Sequence, residues 1–140
     1  MTPAGLVATP SAFGPDETLD RLVDVVTGHG MAVLARIDHA AAAATVGLEL
    51  RPTTVIVFGN PRGGTPLMQA VQTIGIDLPL KALVWEDAEG RTWLGYNDPM
   101  WLAARHGIDP QAVASLAAMT AMLAAASVEV TGNPAFSASS

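Results

Sequence analysis

The sequence predicts an α+β two-layer sandwich with a mixed sheet, in the element order β-α-β-α-β-α-β-β-α-α. Strand-like and helix-like segments alternate as far as residue 77, which favours a layer of helices packed on one sheet. Two strands then follow each other without a helix between them, in residues 78–97. A doubly wound sheet needs strict alternation, so this hairpin favours the α+β class. At 140 residues we expect one domain, 1–130, with a disordered tail at 131–140.

The first half of the chain supplies three predicted strands and two helices. A short strand at 6–9 precedes a helix that opens at Pro15, because proline suits the first helical position. Residues 31–37 are apolar at nearly every position, so we expect both faces of that strand to be covered. An alanine helix follows between the cap residues Asp38 and Gly47. The β-branched run at 53–59 predicts a buried central strand.

Three helices in the second half share one start signal. A residue with a short polar side chain stands directly before a proline, as the N-cap and first helical positions prefer. These pairs are Thr65-Pro66, Asp98-Pro99 and Asp109-Pro110. The last pair is predicted to open a helix over 110–127.

The predicted hairpin has strands at 78–86 and 91–97 joined by Ala88-Glu89-Gly90, with glycine at the left-handed position. The loop length fixes the register and places four pairs on one side of the sheet: Lys81 with Asn97, Leu83 with Gly95, Trp85 with Trp93, and Asp87 with Arg91. Both sides of the hairpin are largely apolar, and one helix layer covers only one side. The second side needs another helix or another copy of the protein, so we expect a homodimer.

Composition excludes several classes of function. A net charge of −6 with seven scattered basic residues argues against nucleic acid as a partner, because such binding needs clustered Lys and Arg. The absence of cysteine excludes disulfides and thiolate metal sites. No secretory signal is evident, and the most apolar stretch, 113–128, is shorter than a membrane span. We therefore expect a soluble, cytoplasmic protein without a membrane partner.

The glycine-rich segment at 59–65 is the main candidate for a ligand site. A turn that leaves a strand and enters a helix presents backbone amides and a positive dipole end, which hold phosphate or carboxylate. Asn60, Arg62, Gly63, Gly64 and Thr65 form the candidate site for a small anion. The spacing is similar to a phosphate loop but lacks its lysine, which argues against nucleotide hydrolysis. The alternative is a turn that only reverses the chain.

Lys81 is a further candidate, because a lysine in an apolar strand can serve as a base or an amine nucleophile. A small enzyme using Lys81 or His39 for proton transfer is the alternative function, and a purely structural dimer is a third. His29 and His106 stand at predicted helix ends, where an imidazole has a structural role. The three histidines lack the spacing of a metal site, so none is predicted. The residues identify no cofactor.

The motifs FGNPRGGTPLM (58–68), DLPLKALVWED (77–87), YNDP (96–99) and LAARHGI (102–108) closely resemble the bacterial and archaeal family known as domain of unknown function 302. The similarity extends upstream through residue 16. This resemblance implies a compact α+β fold, a homodimer and a cytosolic setting. It implies no activity, because the family has no assigned catalytic residues to transfer to this chain.

Overall fold

A computed structural model describes residues 2–133 and confirms the α+β class and the predicted order of elements. The strands are β1 (Leu6–Pro10), β2 (Ala32–Asp38), β3 (Thr53–Gly59), β4 (Leu80–Glu86) and β5 (Thr92–Asn97). The helices are α1 (Pro15–Gly28), α2 (His39–Ala44), α3 (Pro61–Ala70), α4 (Pro99–Arg105) and α5 (Ala114–Thr131). A short 3₁₀ helix, Gln72–Ile76, joins α3 to β4.

The five strands form one sheet in the order β1-β5-β4-β3-β2, and each pairing in the described chain is antiparallel. The prediction of a mixed sheet was therefore wrong. Consecutive strands β2 to β5 are neighbours, so the chain reverses at each connection even where a helix intervenes. Helix α1 instead connects the two edge strands. Alternation of strand and helix in a sequence does not distinguish a parallel crossover from an antiparallel return.

The helices cover one face of the sheet and form the core with it. The fully buried side chains include Ile56 and Phe58 of β3, Val84 of β4, Val26 of α1, Leu67 of α3, and Leu116 and Val130 of α5. Burying a side chain of this size stabilises the fold by about 1.5–3 kcal/mol. Burial alternates along β3 and β4, so only every second residue of these strands reaches this core.

The sheet positions of β2 and β3 differ from the sequence prediction. β3 lies next to the central strand β4 and is fully covered on one face only. β2 is an edge strand with a register shift between Val33 and Ala35. Its side chains Leu34 and Ile37 are 60% and 44% exposed, so the prediction that both faces are covered was wrong. An apolar run shows that a strand is hydrophobic, but not that other elements extend far enough to cover it.

The hairpin register is confirmed at its two central pairs, Trp85 with Trp93 and Leu83 with Gly95. The two indole rings stack with centroids 6.2 Å apart. A Cβ atom on Gly95 would lie 2.9 Å from the Trp85 ring, so only glycine admits the ring at this position. We call the side of the sheet away from the helices the open face; it carries Ile37, Val55, Val57, Leu83, Trp85 and Trp93.

The C-terminal helix starts and ends later than predicted. The Asp109 carboxylate accepts a hydrogen bond from the Gln111 amide (3.0 Å) in a separate turn, and α5 begins only at Ala114. Residues 131–133 belong to the fold, since the Asn133 side chain donates to the carbonyl of Pro10 (2.8 Å). The rest of the predicted tail, 134–140, lies outside the described residues.

Helix α5 is long and apolar enough to cross a membrane by length and composition alone. It is partly buried within the domain, where it packs against α1, α3 and α4. Core helices of compact soluble folds have the same composition, so this helix is weak support for a membrane span.

Candidate functional site

The segment 59–65 is not a turn, because it forms the end of β3 and the first turns of α3. Asn60 is the N-cap, and its Oδ1 accepts from the amide of Arg62 (2.9 Å). The carbonyl of Asn60 accepts from the amides of Gly63 and Gly64, at 3.0 and 3.2 Å. Pro61 has no amide hydrogen. The prediction of free amides for an anion was therefore wrong, since the Asn60-Pro61 pair already satisfies this helix end.

A cavity of about 420 Å³ nevertheless opens beside this segment. It lies at the end of the sheet where β2 begins, β3 ends and β4 begins. Four of the six predicted site residues line it, namely Asn60, Gly63, Gly64 and Thr65. A larger depression of about 610 Å³, between the β1–α1 connection and the β4–β5 hairpin, contains none of them.

Most of the cavity wall comes from residues that the sequence analysis did not single out. They are apolar and come from separate parts of the chain: Met31, Leu34, Met68, Leu78, Leu80 and Met119. Gaps of 34 residues, from Leu34 to Met68, and of 39 residues, from Leu80 to Met119, divide this set, so no local spacing indicates that its members meet. Only the packing of β2, α3, β4 and α5 brings them together.

Arg62 and Lys81 do not line the cavity, although both were predicted site residues. Arg62 is exposed on α3. Lys81 points away from the helix layer, and its Nζ donates to the carbonyls of Pro79 (3.3 Å) and Asp77 (3.5 Å). These contacts hold the side chain at the end of the sheet.

His39 and Lys81 are not brought together. His39 is exposed at the start of α2, directly after the end of β2. Lys81 lies near the cavity end of the sheet, where β2 begins. Through Val57, Lys81 is level with Ala35 of β2, which precedes His39 by four residues, so about 13 Å separates their positions along the strands. Neither side chain lines the cavity, so the geometry gives no support to an enzyme that uses Lys81 or His39 beside a ligand bound there.

A polar cluster that the sequence analysis missed joins the 3₁₀ helix to the end of α4. Asp77 contacts Arg105 Nη1 through both carboxylate oxygens, at 2.7 and 2.8 Å, and its Oδ2 lies 2.5 Å from His106 Nε2. His106 Nδ1 lies 2.9 Å from the hydroxyl of Thr73. A carboxylate only accepts hydrogen bonds, so His106 Nε2 carries the hydrogen. Thr73 and Asp77 precede Arg105 and His106 by at least 28 positions, so no local sequence pattern indicates that these side chains meet.

The electrostatics of this cluster favour an ionised Asp77. Burial by itself raises the pKa of Asp77, but the hydrogen bond from His106 and the charge and hydrogen bond of Arg105 outweigh burial. The pKa of Asp77 therefore lies below its ordinary value of 3.8. Within residues 2–133, no group of three His, Asp or Glu side chains is arranged to hold a metal ion.

The fold and this site define a class of protein: a small α+β domain with a five-stranded antiparallel sheet, one helix layer and an apolar cavity at one sheet end. The chain belongs to the family Domain of unknown function DUF302, which it matches over residues 7–126. The fold is shared with the crystal structure of an uncharacterized conserved protein DUF302 from Bacillus stearothermophilus. The TM-score is 0.81 at 22% identity, covering 91% of this chain and 99% of that one.

Curated relatives with higher identity are longer proteins. The chain is 47% identical over 116 residues to "Fluoride-specific ion channel FluC 1" of Brucella suis biovar 1, and this match covers 83% of the chain but 46% of the relative. The "Fluoride-specific ion channel FluC 2" of Brucella melitensis biotype 1 matches equally, over 43% of its length. The chain thus spans less than half of the curated relatives that it matches.

The Asp77 cluster predicts a specific dependence of stability on pH. Because the pKa of Asp77 is lower in the folded protein than in the unfolded chain, the ionised carboxylate stabilises the fold. This contribution is complete above the unfolded pKa of about 3.9 and is lost as the pH falls through the folded pKa. We expect Asp77→Asn to cost about 2 kcal/mol at neutral pH, because it removes charge-assisted hydrogen bonds. Urea denaturation between about pH 6 and pH 2 should show a smaller loss of stability in the variant than in the wild type.

Asp20→Asn, on the exposed side of α1, provides the matched control and should keep the wild-type pH profile. Equal pH profiles for Asp77→Asn and the wild type would contradict the role of this carboxylate.

Proposed function

We propose that the protein is a homodimeric binding module, with a small-molecule site at the cavity beside residues 59–65 and the open face as the dimer interface. The cavity carries this proposal. Its volume of about 420 Å³ falls within the range of about 300–1,000 Å³ typical of ligand sites. It is set into the end of the sheet, where rigid elements on several sides fix its shape. A cytoplasmic setting is part of the proposal.

Glycines that border the cavity keep its space open. A Cβ atom on Gly59 would lie 3.2 Å from the Pro79 side chain, and one on Gly64 would lie 3.6 Å from Leu78 Cδ1. Larger side chains at these positions would narrow or fill the space. Glycine at 63 and 64 lowers the helix propensity of α3, at a cost of up to about 1 kcal/mol each. An open cavity gives a reason for these glycines inside a helix.

An anionic ligand would need side chains instead of backbone amides. Arg62 and Lys81 are exposed cations near the end of the sheet that carries the cavity, but neither lines it. The charge of the ligand can therefore be tested directly. If no ligand binds, the protein is a purely structural dimer.

The open face supports association with a second copy. Its apolar side chains are only half-buried or exposed in one chain, whereas the opposite face is buried under helices. The apolar surface continues onto the α2–β3 connection, where Val46 and Leu48 are 71% and 64% exposed. Leu50 of the same connection borders Leu83 and Trp85. Two copies related by a two-fold axis would bury these surfaces against each other, with sheets about 10 Å apart.

The Brucella relatives favour a second candidate function, as an accessory domain of a fluoride channel. These relatives are named as fluoride-specific ion channels, and the match covers less than half of their length. A domain joined to a channel in one protein can act beside a separate channel in another. No charged side chain lines the described cavity, so this candidate concerns association and not fluoride binding by this domain.

The ligand proposal predicts a change in thermal stability. We expect at least one class among phosphates, nucleotides, carboxylic acids and uncharged apolar compounds to raise the Tm by roughly 5 °C at about 100 times its Kd. Gly63→Leu should abolish this stabilisation, because the side chain would enter the cavity. Arg62→Ala should matter only for an anion. If no class raises the Tm, the ligand site is rejected.

The dimer proposal predicts that a charge on the open face separates the copies. Ile37→Glu places a carboxylate in the apolar interface and should weaken association by about 3 kcal/mol, or roughly 100-fold. Light scattering after gel filtration should give the mass of one chain for this variant and of two for the wild type. Val128→Glu, at an exposed apolar position of α5, should remain dimeric. A wild type that is monomeric at micromolar concentration contradicts the proposal.

The accessory-domain candidate predicts association with the unmatched part of the Brucella suis relative. When that part is produced without its own matched region, this chain should co-purify with it in detergent. The relative's own matched region, supplied as a separate chain, is the positive control. Retention of the control without retention of this chain would reject the candidate.

A further inference from the structure

We infer that the cavity beside residues 59–65 takes an uncharged, largely apolar molecule, such as a medium-length alkyl or acyl chain, and not a free phosphate or carboxylate. This inference rests on the proposed ligand site and specifies the chemistry of its ligand. It reverses the sequence-based expectation of an anion.

The polar capacity of the cavity is almost entirely used by the protein. The lining contains no charged side chain. Asn60 is one of its two side chains with hydrogen-bonding groups, and both groups already bond within the protein: Oδ1 accepts from the Arg62 amide, and Nδ2 donates one of its two hydrogens to the carbonyl of Gly30 (3.3 Å). The other is Thr65, whose hydroxyl makes no hydrogen bond within residues 2–133. The hydroxyl of Thr65 and the second Nδ2 hydrogen of Asn60 are thus the side-chain donors left for a ligand.

The amides and cations nearby do not change this conclusion. The amides of Arg62, Gly63 and Gly64 all donate to Asn60. The ammonium of Lys81 is directed to the carbonyls of Pro79 and Asp77. An anion placed in the cavity would lose its hydration and gain at most the neutral donors of Thr65 and Asn60, with no charged side chain in the lining, which is strongly unfavourable.

The apolar wall is suited to chains of variable shape. Met31, Met68 and Met119 approach the cavity from three separate parts of the chain, and methionine is flexible and polarizable enough to adapt to irregular apolar ligands. Met68 owes its position partly to Gly75, where a Cβ atom would lie 3.3 Å from the Met68 sulfur. The glycines of α3 complete the wall, since a Cβ atom on Gly63 would lie 3.5 Å from Met119 Cε.

The three methionines also provide the readout. We would label the methionine methyl groups with ¹³C and titrate the full chain separately with 1-decanol, decanoate and inorganic phosphate, following the NMR signals. We expect 1-decanol to shift the Met31, Met68 and Met119 signals saturably and to leave Met100, exposed on α4, unchanged. Decanoate should bind more weakly than 1-decanol, and phosphate should shift none of the three signals.

Variants at Gly64 test whether the binding is in the cavity. Gly64→Ala and Gly64→Val should weaken 1-decanol binding by at least about tenfold, since added methyl groups occupy ligand space. Alanine in a helix keeps or raises the stability of the fold. Gly28→Ala, at the end of α1 with open space around its Cβ position, is the matched control and should bind as the wild type does.

The outcomes separate the ligand class from the site itself. Tighter binding of decanoate or phosphate at the same methyl groups would overturn the apolar class and leave the proposed site standing. No shift with any of the three compounds would overturn both. Binding of 1-decanol that is unaffected by both Gly64 variants would place it elsewhere, for example on the open face, and would also overturn the inference.

Discussion

The covering of the sheet on one face by a single layer of helices is the constraint on which the other features depend. Burial alternates along β3 and β4 because successive side chains point to opposite sides of the sheet. Residues such as Phe58 and Val84 are fully buried by the helices, while Val57 and Trp85 face the other way. The open face is therefore a consequence of a sheet with apolar residues on both sides and helices on one.

The same arrangement also creates the cavity. At the end of the sheet, α3, α5 and the residues before β4 surround the cavity, and the glycines of α3 leave its space unfilled. The Asp77 cluster fixes this region to the end of α4 through Arg105 and His106. Asp77, which directly precedes the lining residue Leu78, is thus anchored by polar contacts, whereas the lining itself is mostly apolar.

Helix capping decides the chemistry of the site more than its glycines do. Asn60 and Pro61 convert a potential anion-binding loop into a closed helix start, in which the first amides are already bonded. In phosphate-binding loops the same amides are left for the ligand. In this chain Asn60 alone takes up these amides: its Oδ1 accepts from Arg62 at 2.9 Å, and its carbonyl accepts from Gly63 and Gly64.

The sequence by itself determined the class of fold, the order of elements and the register of the Trp85–Trp93 hairpin, because these depend on local periodicity, capping and loop length. It also indicated that one sheet face would lack a cover. Tertiary structure alone decided that the sheet is antiparallel throughout, that β2 lies at its edge and that Met31, Met68 and Met119 meet. Those features depend on contacts between residues far apart in the chain, which no local pattern records. The cap at Asn60 is a different case, because its contacts with Arg62, Gly63 and Gly64 are local, and an asparagine directly before a proline is itself a helix-start signal.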